Sequence, residues 1–187
     1  MSLMRNLAWA VAFMSLLAPP APAQQAQAGT DAGRGPRASA TRVTTDHLQL
    51  STYASDEVVA PGRPFSLVFD ITPRARMHVY APGADNYRIV GVTLEPDPLL
   101  VAQPLEYPAS EIYFFEPLNE RVPVYMKPFR LTQTMAIDGS REKRAEVATL
   151  DEVTIQGTLE YQACDDRICF LPESIPISYT MKLEDGR

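Results

Sequence analysis

The residues of this chain whose type and spacing point most directly to chemistry are two cysteines, Cys164 and Cys169. A loop with four intervening residues can bring the two Cα atoms within the roughly 4.4–6.8 Å that a disulfide requires. So short a loop gains little stability from a bridge, because the loop-closure entropy grows with loop length. A bridge in a turn is also easily reached by a second thiolate, which is all that thiol–disulfide exchange requires. The pair therefore fits either a redox-active disulfide or a passive bridge that fixes a turn.

The residues next to the two cysteines do not decide between a redox-active disulfide and a passive bridge. Asp165 and Asp166 disfavour a thiolate, whereas Arg167 favours one. The spacing is not the C-x-x-C of thioredoxins, and no βαβ pattern surrounds it, so a thioredoxin fold is disfavoured. Hydrolase functions have no support, because the sequence contains no Ser-His-Asp order, paired-carboxylate motif, phosphate loop or H-E-x-x-H motif.

A soft-metal site is a weaker alternative. His78 together with Met77, Cys164 and Cys169 could hold Cu(I), but nothing in the sequence shows that these side chains converge. We therefore expect no metal and no cofactor.

The chain begins with a segment typical of export. Residues 1–23 predict a secretory signal peptide, with a basic start, an apolar run too short to span a membrane, and an A-x-A cleavage pattern. Residues 24–45 are rich in Ala, Gln, Gly, Ser and Thr and predict a disordered lead. Residues 46–187 then form the exported domain, without stable membrane insertion. The net charge of -6 and the lack of a long basic run make nucleic acid an unlikely partner.

The exported region shows the period-two alternation of strands. The alternating apolar positions are Phe65, Leu67, Phe69 and Ile71; Val90, Val92 and Leu94; Phe129, Leu131, Met135 and Ile137; Val153, Ile155, Leu159 and Tyr161; and Ile175, Ile177, Tyr179, Met181 and Leu183. Proline is 17 of 187 residues, which argues against long helices, and only Arg141 to Leu150 could supply a helical turn or two. The sequence predicts one all-β domain, an immunoglobulin-like β-sandwich of about seven strands, with Pro176 at a sheet edge.

The cysteine segment resembles a known family. Tyr161-Gln162-Ala163-Cys164, with Cys169 and Pro172-Glu173, is similar to the active-site segment of the N-terminal periplasmic domain of the thiol:disulfide interchange protein DsbD. The resemblance covers roughly residues 46–184. Met77-His78-Val79-Tyr80 is similar to the aromatic strand near the family's cysteines, and residues 111–117 lie where the family has a cap loop with a phenylalanine over the disulfide. The family has five residues between its cysteines, whereas this chain has four, so the local geometry and the redox potential could differ.

The resemblance implies an immunoglobulin-like periplasmic domain that relays electrons through Cys164 and Cys169. It implies transient mixed disulfides with a membrane thiol:disulfide reductase and with thioredoxin-like periplasmic proteins, including those of cytochrome c maturation. In this scheme Cys169 forms the mixed disulfide and Cys164 resolves it. The implied cap and partner-contact residues are Tyr113, Phe114, Phe115, His78, Tyr80 and Tyr161.

The implied activity is that of a thiol:disulfide oxidoreductase of the protein-disulfide reductase type. Because the family's domains continue into a membrane segment while this chain ends at Arg187, we expect a free-standing version or a separate electron donor. The alternative from another functional class is a non-catalytic secreted binding or accessory β-sandwich with a structural disulfide.

Overall fold

The computed structural model of the chain describes residues 41–116 and 119–184. All of them belong to one compact unit, Gly33–Arg187. The predicted signal peptide and the predicted lead up to residue 40 lie outside the described residues. The first described strand begins at Thr41, within the segment that the sequence analysis assigns to the lead.

The described residues form thirteen strands and one short helix. They are β1 Thr41–Thr44, β2 Leu48–Ala54, β3 Val58–Val59, β4 Pro64–Pro73, β5 His78–Tyr80, β6 Gly91–Leu94, β7 Leu100–Ala102, β8 Glu111–Phe115, β9 Glu120–Tyr125, β10 Phe129–Ile137, α1 Arg144–Val147, β11 Glu152–Tyr161, β12 Ala163–Cys164 and β13 Glu173–Leu183. The helix lies within the predicted helical segment. The strands outnumber the predicted seven, because several are only two or three residues long and carry no alternation of their own.

The first sheet has the strand order β1-β2-β4-β10-β7. Its central pair, β4 and β10, is antiparallel, with Leu131 opposite Phe69 and Met135 opposite Phe65. These four side chains are buried, as the alternation predicts.

The second sheet has the order β3-β13-β11-β6. Strands β11 and β13 are antiparallel over their length, from Glu152 opposite Lys182 to Tyr161 opposite Glu173. On its other side β13 pairs with β3 only at Lys182 and Leu183. Within the described residues, Pro176 thus has a paired neighbour on one side alone, which agrees with the predicted edge position.

The inner faces of these two sheets pack against each other. Their buried side chains form one continuous cluster that includes Phe69 from the first sheet and Tyr179 from the second. The rings of these two residues meet edge to face at 6.3 Å, and the Tyr179 hydroxyl is hydrogen-bonded to Thr52 Oγ1. The predicted all-β sandwich is confirmed.

A third, smaller sheet has the order β12-β5-β9-β8 and carries the cysteine segment. Strand β5 pairs on one side with β12, where His78 lies opposite Cys164, and on the other with β9. A separate small cluster of buried side chains lies here and includes Tyr80, Val124 and Cys164. The sandwich thus presents β12 and the loop after it beside a packed aromatic strand.

Candidate active site

Cys164 and Cys169 form a disulfide in the structure. Cys164 ends β12, and Cys169 faces it across an isolated antiparallel bridge. The two Cα atoms are 4.0 Å apart, just below the range expected from the sequence. The four residues between them therefore form a tight turn that places the two sulfurs side by side.

Asp165 builds this turn. Its Oδ1 accepts hydrogen bonds from the backbone N–H of Arg167 at 2.7 Å and of Ile168 at 2.8 Å, and its own N–H donates to the Ile168 carbonyl. These two N–H donors are the main reason that the pKa of Asp165 lies below its usual range. Asp166 accepts two further hydrogen bonds from Arg76, which ties the turn to the segment before β5.

Side chains at both ends of the cysteine segment hold the base of the loop. The Tyr161 hydroxyl donates to Glu173 Oε2 at 2.5 Å, which joins the two ends of the segment. Gln162 Nε2 donates to the Phe170 carbonyl at 3.0 Å, and His47 Nδ1 lies 2.9 Å from Glu173 Oε1. Tyr161, Gln162 and Glu173 of the motif thus hold the loop in place, and none of these contacts involves a sulfur.

The two sulfur-bearing residues differ strongly in access. Cys164 is 1 % exposed, whereas Cys169 belongs to an exposed stretch that begins at Asp166. Two apolar side chains flank Cys169 on the surface, Ile168 at 56 % exposure and Leu171 at 86 %. Cys169 is therefore the accessible residue of the pair, and Cys164 is the shielded one.

Tyr80 contacts both sulfurs. Its hydroxyl oxygen lies 3.1 Å from Cys164 Sγ and 3.3 Å from Cys169 Sγ. Burial is the largest cause that raises the pKa of Tyr80, and the neighbouring Tyr87 raises it further. Tyr80 is therefore a neutral phenol at physiological pH, placed to hydrogen-bond whichever sulfur is released.

His78 lies beside the same group of rings. Its ring centroid is 4.6 Å from that of Tyr113 and 5.5 Å from that of Tyr80. Burial lowers the pKa of His78, and the negative charge of Asp165 offsets part of this effect. The imidazole is therefore neutral near pH 7.

The predicted cap residues of β8 lie on two opposite faces of the strand. Tyr113 and Phe115 are half-buried on the face that meets His78, with their own centroids 6.5 Å apart. Phe114 points to the opposite face, where Arg121 lies over its ring at 4.8 Å. All three rings line a groove together with Asp166 of the cysteine loop, and Tyr113 also lines a second groove with Asp166. The β8 ring that reaches His78, opposite Cys164, is that of Tyr113.

Three residues that the resemblance placed at a partner-contact surface are buried. Tyr161 is fully buried in the main core, and Tyr80 and His78 are 3 % and 4 % exposed. A side chain without accessible surface cannot contact a docking protein unless the structure opens. Tyr80 and His78 instead lie directly beneath the disulfide, and Tyr161 supports the loop from below.

Two residues that the sequence analysis did not single out complete the site. Tyr87 stacks on Tyr80, with ring centroids 3.9 Å apart and an interplanar angle of 11°. The Tyr87 hydroxyl donates to Glu120 Oε2 at 2.7 Å. Glu120 begins β9 and Tyr87 lies between β5 and β6, so no sequence pattern links them.

The side chains that could hold a metal ion lie apart in the part of the chain that the structure describes. Within residues 41–116 and 119–184, no three or more His, Cys, Asp or Glu side chains are placed to hold a metal ion. In the oxidised state Cys164 and Cys169 are bonded to each other and do not offer thiolates.

Comparison with known proteins gives structural neighbours only. No family model and no curated protein matches the chain. Among solved structures, the chain is similar to the reduced N-terminal domain of DsbD from Neisseria meningitidis, with a TM-score of 0.42 and 14 % identity over 62 % of this chain and 82 % of that one.

The chain is also similar to the N-terminal periplasmic domain of ScsB from Proteus mirabilis. Here the TM-score is 0.45 and the identity 10 %, over 78 % of this chain and 50 % of that one. This chain thus spans about half of the ScsB structure. The first of the two neighbours is the domain that the cysteine motif resembles. In the part of the chain that the structure describes, no helix is long and apolar enough to cross a membrane.

Proposed function

We propose that this protein is a periplasmic thiol:disulfide exchange module in which Cys164 and Cys169 cycle between disulfide and dithiol. The observation that carries the proposal is the asymmetry of the bridge. One sulfur-bearing residue is exposed between apolar side chains, and the other is buried against a tyrosine hydroxyl. A bridge that only fixed a turn would need neither feature.

The reaction begins with an incoming thiolate. The thiolate of a reduced partner attacks Cys169 Sγ, the bond between the two cysteine sulfurs breaks, and its electron pair passes to Cys164 Sγ. Cys169 is then joined to the partner in a mixed disulfide. In the disulfide the Tyr80 hydroxyl lies 3.1 Å from Cys164 Sγ, so it is placed to donate a hydrogen bond to that sulfur when the bond breaks.

The mixed disulfide then resolves. The second thiolate of the partner attacks the partner's own bonded sulfur, Cys169 leaves as a thiolate, and the partner becomes oxidised. The domain now holds two electrons as a dithiol. Reversal of the same steps, with Cys169 attacking an oxidised acceptor and Cys164 resolving, passes these electrons on.

The partners in this proposal are a membrane or thioredoxin-like reductase and periplasmic thioredoxin-like proteins, as the motif's resemblance implies. The contact surface is the loop around Cys169, with Ile168 and Leu171 as its exposed apolar side chains. Encounters of redox proteins generally use small and transient interfaces, which suits a loop of this size.

Trapping tests the proposal. The Cys164→Ser variant should capture a thioredoxin-fold protein whose nucleophilic cysteine is pre-activated as an aromatic mixed disulfide, because the Cys169 thiolate displaces the aromatic thiolate and forms a stable complex. The Cys169→Ser variant should form much less complex, because its remaining thiol is buried. Complex formation through Cys164 alone would reverse the assigned roles, and electron transfer by Cys164→Ser at the parent's rate would refute the scheme.

A further inference from the structure

Cys164 and Cys169 lie directly opposite each other in a short hairpin. Two backbone hydrogen bonds flank the pair. On the turn side the Asp165 N–H donates to the Ile168 carbonyl at 3.0 Å, and on the other side the Phe170 N–H donates into β12 at 2.9 Å. The cysteines therefore occupy a non-hydrogen-bonded pair, in which facing side chains come closest across two antiparallel strands.

The turn of this hairpin lacks the backbone geometry that such turns prefer. Only Asp166 and Arg167 lie between the paired residues Asp165 and Ile168, and neither Asp166 nor Arg167 has a positive φ. The favoured two-residue hairpin turns need a positive φ at one or both of these positions, because only then does the twist of the turn match that of the strands. The backbone alone therefore does not favour a closed turn here.

The Asp165 side chain supplies what the backbone lacks. Its Oδ1 accepts the N–H of Arg167 at 2.7 Å and that of Ile168 at 2.8 Å. In an ordinary turn the fourth residue donates its N–H to the carbonyl of the first, whereas here Ile168 donates to the carboxylate. The same donors hold the pKa of Asp165 below its usual range, so the acceptor is ionised at neutral pH, and an ionised acceptor forms the stronger hydrogen bond.

These bonds matter most when the disulfide is open. In the oxidised protein the bond between the sulfurs itself holds Cys169 beside Cys164. In the dithiol and in a mixed disulfide, only non-covalent contacts of the loop can do so. We propose that Asp165 is a positioning residue, which keeps Cys169 opposite Cys164 while the bond between them is open and thereby speeds the closure that releases the partner. This inference rests on the exchange function proposed above.

The closure is balanced in atoms and electrons. The Cys164 sulfur, as a thiolate, forms a bond to Cys169 Sγ, and the bond between Cys169 and the partner sulfur breaks. The partner leaves as a thiolate with the electron pair of that bond. The proton that the Cys164 thiol gives to water is balanced by the one that the partner thiolate takes up. Asp165 exchanges no proton and acts only through the position of Cys169.

The neighbouring Asp166 does not share this role. Its carboxylate pairs with Arg76 at 2.9 Å, outside the turn, and both side chains are more than half exposed. Exposed ion pairs of this kind contribute little to stability. The contacts that join the two arms of the hairpin through a side chain are thus those of Asp165.

Redox equilibrium gives the first test. The full chain and its variants are equilibrated in graded glutathione buffers, and the thiols are quantified by alkylation and mass. Asp165→Ala should lower the equilibrium constant for closing the disulfide by about fivefold to tenfold, as expected for the loss of internal hydrogen bonds. The midpoint should then rise by about 20–30 mV, because a tenfold change corresponds to about 30 mV. Asp165→Asn keeps an acceptor oxygen in the same place and should stay near the parent.

A two-step thiol assay gives the rate of closure. The reduced full chain is mixed with one equivalent of dithiodipyridine, an aromatic disulfide that releases one coloured thiopyridone when Cys169 attacks and a second when Cys164 closes the bond. Asp165→Ala should slow the second release by about fivefold to tenfold relative to Asp165→Asn. The first release should be alike in these two variants, because both lack the charge.

Asp138→Ala is the matched control. It removes a contact of the same kind in a turn elsewhere in the chain, where Asp138 Oδ1 accepts the Ser140 N–H at 2.8 Å. Both the midpoint and the second release should match the parent. A change as large as that of Asp165→Ala would show a general loss of packing and would refute the positioning role.

The two Asp165 variants separate position from charge. Equal shifts in Asp165→Ala and Asp165→Asn would show that the carboxylate acts through its charge and would refute the positioning role. Parent values in both variants would refute it as well, while two releases from the parent would still support exchange. Absence of any release from the reduced parent would refute the exchange function and the positioning role with it.

Discussion

The two sulfurs of the site sit in different surroundings although they are bonded to each other. Cys164 belongs to a buried cluster with Tyr80 and Val124, and Cys169 lies in an exposed stretch of the loop. In the proposed exchange, a partner attacks the accessible sulfur and the shielded one becomes the leaving group. The difference in access is therefore the basis of the proposed roles.

Alkylation rates measure that access. In the reduced protein, a limiting amount of iodoacetamide should modify Cys169 faster than Cys164 by at least about tenfold, because the thiol must be reachable as well as ionised. Peptide mass analysis gives the ratio. Equal labelling of the two cysteines, or faster labelling of Cys164, would contradict the assignment.

The buried His78 gives the stability of the fold a predictable dependence on pH. Its pKa is lowered from 6.5 by burial, so the unfolded chain binds its proton more readily than the folded one. Stability is therefore fully present above the unfolded value and falls as the pH drops below 6.5 toward the lowered pKa. The free energy of unfolding, measured in urea between about pH 7.5 and 5.5, should fall less steeply for His78→Asn. An unchanged slope in this variant would contradict the argument.

At the scale of the elements, the site depends on the β11–β13 pair that carries the cysteine loop. The loop leaves the end of β11 at Tyr161 and returns to β13 at Glu173, and these two residues are bonded through their side chains. The outer partner of β11 is β6, which packs closely over Gly157. A Cβ at Gly157 would lie 2.5 Å from the Thr93 carbonyl oxygen and 3.1 Å from Leu94 Cα.

This close approach predicts the effect of one methyl group. Gly157→Ala should destabilise the fold by about 1–3 kcal/mol, because backbone atoms of β6 must move to make room. Hydrogen exchange should speed up mainly along β6. Gly91→Ala is the matched control in the same strand pair, since its Cβ would meet only the Tyr107 hydroxyl at 3.5 Å. Equal effects of the two substitutions would contradict the steric account.

The sequence predicts some of these elements well and others not at all. Strands β4, β10, β11 and β13 alternate over nine residues or more, so their positions and inner faces follow from the pattern. Strands β5, β7 and β12 have two or three residues, which is too short for a period to show. They form through pairing with distant strands, as when His78 meets Cys164.

The residues of the candidate site likewise fall into those that the sequence predicts and those that it does not. The cysteine motif is local, so the sequence identifies it and the disulfide follows. The stacking of Tyr87 on Tyr80 and the bond from Tyr87 to Glu120 depend on how three separate elements pack, and no local pattern reports this. The face of β8 on which Phe114 lies can likewise be assigned only once β8 is known to be a strand, because side chains alternate between the two faces of a strand.

At the scale of the whole molecule, the buried side chains of the described residues form two clusters, the main core and a smaller one at the candidate site. The main cluster fills the space between the two large sheets and includes Tyr161, while the small cluster contains Tyr80 and Cys164. The three residues Tyr161, Gln162 and Ala163 connect them along the chain, and Ala163 belongs to the main cluster. The sandwich thus supports the small cluster that contains the buried cysteine.

The contact between the large sheets can be tested by removing one hydroxyl. Tyr179 donates to Thr52 Oγ1 across the sandwich, since the Thr52 hydroxyl itself donates to the Val68 carbonyl at 3.0 Å. Tyr179→Phe should cost about 1 kcal/mol, the usual value of one internal hydrogen bond, and lower the melting temperature by about 4 °C. Thiol exchange should be unchanged, and a loss of exchange without a loss of stability would contradict the separation of core and site.

The reduction potential of the cysteine pair tests the central claim most directly. The full chain is equilibrated in graded glutathione or dithiothreitol buffers, and the thiols of Cys164 and Cys169 are quantified by alkylation and mass. An exchange-active pair should give a midpoint of about -180 to -270 mV, within the range of thiol:disulfide oxidoreductases. A midpoint well below about -300 mV would mark a structural bridge and contradict the exchange function.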